Sequence, residues 1–257
     1  SLGLDVYQPD TLRTDEAAEY LKSFHPDFFV VAAFGQILTQ EVLDIPKYYP
    51  INIHASLLPL YRGASPIQAA IKNMDAQTGI TTMVMAKEMD AGDILLTGKT
   101  PIFEDDTAQL LHDRLGIIGS DLIVETIEKI LDNELKPKPQ DHEAATYVSL
   151  LKKSDGKILW EQSARQIRAH VNAMTPWPGA FCYFNDKTIK IFKVEVSDQD
   201  SSKPPGTIIS CSKSGIKVAA GLGTINILEL MGDSGKRLDA ASYLNGHNIE
   251  PLSSVFK

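Results

Sequence analysis

Ile51-Asn52-Ile53-His54-Ala55-Ser56-Leu57-Leu58-Pro59 is the stretch on which the reading of this chain turns. Residues 51–54 alternate apolar and polar, the pattern of a short strand, and the two-residue period puts Asn52 and His54 on one side of it. Upstream, Phe28-Phe29-Val30-Val31-Ala32-Ala33-Phe34-Gly35 is a continuous run of aromatic, β-branched and small residues. It predicts a strand buried on both faces, with Gly35 permitting a tight exit. Downstream, 78–85 and 94–97 read as two more strands, joined by a turn at Met89-Asp90-Ala91-Gly92-Asp93. Helical segments alternate with them. These are 14–23 capped by Thr14, a single turn at 39–43, 66–72 with Pro66 in its first turn, and 107–132. In the last, Leu110, Leu111, Leu115, Ile118, Leu122, Thr126 and Ile130 recur at three-four spacing. This alternation predicts an α/β sheet domain, in which ligands bind at the carboxyl ends of strands.

The second half reads differently. An amphipathic helix over 163–173 stops at Pro176-Trp177-Pro178-Gly179. Short strands follow at 187–194, 206–211, 215–219 and 224–230, separated by glycines and Ser/Asp-rich turns. Such spacing predicts a small β-barrel. Lys136-Pro137-Lys138-Pro139-Gln140 reads as a linker or crossover, so the expected domains are 1–149 and 150–257. At the start, residues 4–7 are expected to form a strand ended by Pro9.

Bulk properties narrow the classes. The 257 residues are 43% hydrophobic, and no apolar run is long enough to cross a bilayer. Cys182 and Cys211 have neither metal-knuckle nor redox-pair spacing, which fits a reducing, cytoplasmic setting. The net charge of -8 is uneven: 1–149 carries 11 basic and 23 acidic side chains, 150–257 carries 14 and 10. The mildly basic half is either ordinary surface or a face for a polyanion. Histidines 25, 54, 112, 142, 170 and 247 are scattered and form no His-Glu-x-x-His motif, so no metal is expected. A Walker motif and a Gly-x-Gly-x-x-Gly turn are both missing from the sequence.

Asn52, His54 and Asp90 together suit attack of an amine on a formyl or acyl carbonyl. Asn52 and His54 can donate to the oxygen that gains charge. Histidine is the side-chain type suited to exchanging a proton in neutral water, and Asp90 can support the cation or carry the proton itself. Which of the two accepts the proton stays open. Ser56 lacks the Gly-x-Ser-x-Gly elbow of a nucleophilic serine and reads mainly as a structural hydrogen-bonder.

These same residues carry a resemblance. Residues 52–59, then Tyr61-Arg62-Gly63-Ala64-Ser65-Pro66-Ile67 and Met89-Asp90-Ala91-Gly92-Asp93-Ile94-Leu95, resemble the folate-dependent formyltransferases. Pro176-Trp177-Pro178-Gly179-Ala180-Phe181, Gly235-Lys236-Arg237 and Tyr243-Leu244-Asn245-Gly246 narrow the resemblance to the methionyl-tRNA formyltransferase family. It implies a Rossmann-like catalytic domain and a C-terminal OB-like barrel that binds tRNA. The implied reaction moves the formyl group of 10-formyltetrahydrofolate to the amine of methionyl initiator tRNA. The alternative is a sister enzyme that formylates an amino sugar nucleotide, or one that hydrolyses the folate.

By the same resemblance Asn52, His54 and Asp90 match the catalytic trio. Phe34, Gly35, Ile37, Met85, Lys87, Met89 and Asp90 match the folate pocket, Phe34 being equally readable as core. Ser56, Leu57, Leu58, Pro59, Gln8 and Pro9 match the substrate side, with Arg62 either a ligand for tRNA or folate or a loop anchor. Lys152, Lys153, Arg168, Lys213, Lys217, Lys236 and Arg237 are candidate tRNA contacts, and a monomer is expected. The family's first strand, its glycine turn and a basic insertion loop belong ahead of Ser1, so the sheet is expected to lack its first strand. Tyr49-Pro50 replaces the glycine usual before the strand at 51–54.

Overall fold

The computed structural model describes residues 3–257. They form two compact units: 3–63, 79–100 and 115–148 in the first, and 64–78, 101–114 and 149–257 in the second.

In the first unit, α1 (Asp15–Lys22) is capped by Thr14, whose Oγ1 accepts from the Ala17 N–H at 3.3 Å. Asp15 and Glu16 lie in its first turn and Lys22 in its last, complementing the helix dipole. Next come β1 (Phe28–Ala32), α2 (Gln40–Leu43), β2 (Tyr49–His54), the two-residue β3 (Arg62–Gly63), β4 (Gln77–Val84), β5 (Ile94–Pro101), the later part of α4 (Ala108–Leu131), and β6 (Tyr147–Val148). The sheet order is β1-β2-β4-β5, with β1 parallel and β4 antiparallel to β2. One face packs Ile51, Leu95, Ile123 and Ile130 together, the other Ala18, Leu38, Val42 and Leu43.

Two sequence expectations fail here. Residues 4–7 form no strand. β1 is not buried on both faces: among the described residues it pairs only with β2, and Val30 is 49% exposed. Its apolar composition suits an interior strand, but its place in the sheet is an edge.

The second unit holds α3 (Pro66–Lys72), a 3-10 turn at Lys153–Gly156, α5 (Ala164–Met174), β7 (Ala180–Phe184), β8 (Lys187–Ser197), β9 (Ile208–Ser212), β10 (Gly215–Ala219), β11 (Thr224–Met231), β12 (Leu238–Asp239) and α6 (Ala240–Gly246). A capping box starts α5: the Gln166 N–H reaches Ser163 Oγ at 3.3 Å, and the Ser163 N–H reaches Gln166 Oε1 at 3.0 Å.

The expected OB-like barrel is not formed. The sheet runs β7-β8-β11-β10-β9, with β12 beside β11, and its two edges do not pair with each other. The tail satisfies them instead. Leu252 N donates to Ile208 O at 2.7 Å on β9, while Tyr183 and Lys257 exchange backbone bonds of 2.7 and 2.9 Å on β7. Edge groups met in this way leave the sheet open.

Candidate active site

β2 carries Asn52 and His54 toward one end of the first unit's sheet, and the turn after β4 brings Asp90 to them. Asn52 Nδ2 donates to Asp90 Oδ1 at 3.4 Å, and His54 Nδ1 stands 3.6 Å from Asp90 Oδ2. His54 is 6% exposed. Its Nε2 lies 3.0 Å from the carbonyl oxygen of Tyr61. A carbonyl only accepts, so the proton sits on Nε2, and in the neutral ring Nδ1 is the bare nitrogen. The bare nitrogen therefore faces the carboxylate.

Asp90 has φ 51°, in the left-handed region that favours glycine. The turn is held from outside. Gly63 N–H donates to Asp90 Oδ2 at 2.8 Å, and Gln140 Nε2 donates to the carbonyls of Asp90 at 2.8 Å and Gly92 at 2.6 Å. Gly92 must be glycine, because a Cβ there would run into the Val84 carbonyl. Gly63, at φ 113°, is confined in the same way by the Val148 carbonyl.

Arg62 is fully buried and anchors the loop. Its Nε and Nη2 donate to Gln140 Oε1 at 3.1 and 2.7 Å, Nη1 to the Tyr147 hydroxyl at 3.1 Å, and Nη2 to His142 Nδ1 at 3.1 Å. A guanidinium only donates, so His142 accepts as a neutral ring. Of the two readings of Arg62, loop anchor describes these contacts. Ser56 is also structural in its bonds, giving Oγ–H to Leu60 O at 2.6 Å, while Thr81 Oγ1 bonds Ser56 O at 2.7 Å and the Leu58 N–H at 3.1 Å.

The remaining candidates are spread out. Phe34, Gln8 and Pro9 line a cleft of about 450 Å³ with Tyr7, Tyr20 and Phe24. Met85 lines a separate cleft of about 330 Å³ with Leu43 and Pro50. Neither cleft is lined by Asn52, His54 or Asp90. Gly35, Ile37, Lys87 and Met89 are exposed, while Leu58 is buried and Leu57 and Pro59 half-buried. In the second unit Arg168 is paired with Glu104 at 3.0 Å and Arg237 with Glu229 at 2.6 Å. Lys217 Nζ donates to Gln199 at 3.4 Å. Lys152, Lys153, Lys213 and Lys236 are exposed. Among the described residues no group of His, Cys, Asp and Glu gathers as a metal site, and no helix is long and apolar enough to cross a membrane.

Sequence reading missed Gln140, Tyr147, His142, the Tyr61 carbonyl and the Gly63 N–H. Backbone partners leave no mark on residue type. Gln140 ends a segment that reads as a linker or crossover, and this segment returns to the sheet, bonded through Ile94 and Lys138 at 2.8 Å in both directions.

Residues 3–127 match the formyl transferase family model and 150–248 the model of the formyl transferase C-terminal domain. The methionyl-tRNA formyltransferase of Citrifermentans bemidjiense is 45% identical over 97% of this chain and 78% of its own length. That of Clostridium novyi is 45% identical over 99% and 82%. The chain belongs to the methionyl-tRNA formyltransferase family. Among solved structures, HypX from Aquifex aeolicus in complex with tetrahydrofolic acid superposes with a TM-score of 0.68 at 18% identity, covering 93% of this chain and 44% of that one. At that identity the likeness speaks for the fold.

Proposed function

We propose that this chain transfers the formyl group of 10-formyltetrahydrofolate to the amino group of methionyl initiator tRNA. The observation that carries this reading is identity of 45% to methionyl-tRNA formyltransferases across nearly the whole chain. The convergence of Asn52, His54 and Asp90 supports it with chemistry. The folate supplies an activated formyl carbon. Asn52 Nδ2–H, beside Asp90 at 3.4 Å, turns to the carbonyl oxygen as the amine adds and charge develops there. His54 Nδ1, left bare by the Nε2–H···O=C bond to Tyr61, takes the proton that the amine loses. Asp90, held by Gly63, stabilises the imidazolium so formed. His54 returns a proton to N10 of the folate as the C–N10 bond breaks, leaving formyl-methionyl-tRNA and tetrahydrofolate.

Phe34 with Gln8 and Pro9, and Met85 with the exposed 87–89 loop, are our candidates for the folate's surroundings. Exposed Lys152, Lys153, Lys213 and Lys236 are our candidates for phosphate contacts, which supply affinity without reading sequence. Arg168 and Arg237, already paired with carboxylates, are weaker ones. A monomer working in the cytoplasm fits this reading.

The test follows labelled formyl from 10-formyltetrahydrofolate into methionyl initiator tRNA, into an amino sugar nucleotide, and into free formate. Label on tRNA is expected. Label on the sugar alone, or release of formate at the same rate with and without tRNA, would replace this function with the corresponding sister activity.

A further inference from the structure

We propose that Gln140 is the positioning residue for Asp90: its amide ties the 90–92 turn to Arg62 and so sets where the carboxylate stands against His54. This rests on the catalytic reading of Asn52, His54 and Asp90 given above.

Gln140 is 5% exposed and uses its whole hydrogen-bonding capacity. Nε2 gives its two protons to Asp90 O at 2.8 Å and Gly92 O at 2.6 Å, and Oε1 receives Arg62 Nε at 3.1 Å and Nη2 at 2.7 Å. The orientation of the amide is forced. Arg62 can only donate, so it must meet the oxygen. The two backbone carbonyls can only accept, so they must meet the nitrogen. A carboxylate would satisfy Arg62 but has nothing to give the turn. An asparagine is one methylene short of this span.

The contacts close a circuit. Arg62 and Gly63 are neighbours on β3. Gly63 grips the Asp90 side chain directly through its N–H at 2.8 Å, and Arg62 grips the Asp90 backbone through Gln140. The residue between these grips is the one at φ 51°, a conformation that persists where its surroundings over-determine it. The segment bearing Gln140 is itself pinned on both sides. Lys138 bonds Ile94 in both directions at 2.8 Å, and β6 pairs with β3, Tyr147 opposite Arg62 and Val148 opposite Gly63. Gln140 thus sits on a strap fixed at each end, across the turn that carries the carboxylate.

A simpler role would have Gln140 only satisfy the buried Arg62. Gln140→Glu separates the two. It keeps the side chain's size and the acceptor for Arg62, but it removes both donors and sets oxygen against the Asp90 and Gly92 carbonyls. The parent, Gln140→Glu, Gln140→Met and His54→Ala are compared by steady-state kinetics with each substrate varied, by the pH profile of kcat, and by thermal melting. For Gln140→Glu we expect a folded protein with a melting temperature several degrees below the parent's, as two stranded carbonyls require, kcat per folded molecule lower by about 10–100-fold, and KM for tRNA and folate within about threefold. We also expect a displaced inflection in the pH profile. Parental kcat in Gln140→Glu, a change confined to KM, or a lower kcat with an unmoved pH profile would each overturn the proposal. If Gln140→Met does not fold, Gln140→Glu decides alone. Inactive His54→Ala beside fully active Gln140→Glu removes only the positioning role. Full turnover by His54→Ala removes the catalytic reading and this inference with it.

Discussion

Around Asp90 the first unit buries an arginine, a histidine, a serine and a glutamine, whereas in the second unit's sheet Ile189, Ile191, Ile208, Ile216, Val218, Ile225, Ile227 and Leu230 lie at or below 3% exposure with no polar side-chain atom among them. The first region is specified by direction. Each buried donor has a named acceptor, and removing one strands its partner at a cost of about 1–3 kcal/mol. The second is specified by volume and alternation, and its losses scale with the methylenes removed. Polar centres of the first kind are expensive to build, so they mark the place where chemistry is held. Apolar interiors of the second kind are generic, so they mark stability.

That contrast predicts opposite signatures for substitution. His54→Ala should lower kcat by about 10²–10⁴-fold, or about 3–5 kcal/mol of transition-state stabilisation, with tRNA affinity within a few-fold. Single-turnover formylation alongside filter binding measures both. Turnover near the parent's would show that the polar centre is not where the proton moves. Ile191→Ala should do the reverse. With its side chain fully buried on β8, it should cost about 2–5 kcal/mol in urea unfolding while kcat per folded molecule stays parental. A large fall in kcat at unchanged stability would break the division between the regions.

Gly63→Ala tests the one residue that belongs to both kinds of argument. Its φ of 113° and the Val148 carbonyl leave no room for a Cβ, and its N–H is a ligand of Asp90. A stability loss of about 1–3 kcal/mol together with reduced kcat is expected. Reduced stability with parental kcat would mean that the Asp90 carboxylate holds its place without this donor.

How far the sequence was legible follows the same line. The helix cap at Thr14, the amphipathic pattern over 163–173 and the alternation around Asn52 and His54 are local signals, and the helices over Asp15–Lys22 and Ala164–Met174 and the strand over Tyr49–His54 form where those signals point. The candidate trio was readable as residue types, Asn52 and His54 two apart on one strand and Asp90 in the turn between two others, and the structure brings these side chains together. What escaped is non-local. Gln140 lies 50 positions from the turn it holds, and the proline-flanked segment around it carries no mark of a return to the sheet. Phe28–Ala32 has an interior strand's composition at an edge position, because composition does not report the number of neighbours. The barrel expectation failed on pairing. Short strands and glycine turns are common to open and closed sheets, and only the bonds at the β7 and β9 edges distinguish them. Even inside that sheet, the ladder between β8 and β11 shifts register around Glu229. The buried positions accordingly step from Ile191 to Val194 and from Ile227 to Leu230, where strict alternation would step by two.

The smallest effect concerns a polar side chain buried in the second unit. His170 on α5 is 5% exposed, and its Nε2 lies 3.2 Å from the Gly156 carbonyl. Burial pushes its pKa down, and the positive charge of Lys72 adds to that, while the Gly156 carbonyl and Asp155 oppose it. The folded state therefore holds its proton less tightly than the unfolded state does. Its contribution to stability is fully present above the ordinary histidine range and is lost as pH falls through about 6.5 toward the lower folded value, at no more than about 1.4 kcal/mol per pH unit. His170→Gln offers an N–H to the same carbonyl and cannot titrate. Melting temperatures between pH 7.5 and 5 should fall more steeply for the parent than for the variant, the difference opening only on the acid side. Parallel curves would mean that His170 is protonated equally in both states and that its surroundings are less apolar than those of the isoleucines in the same unit.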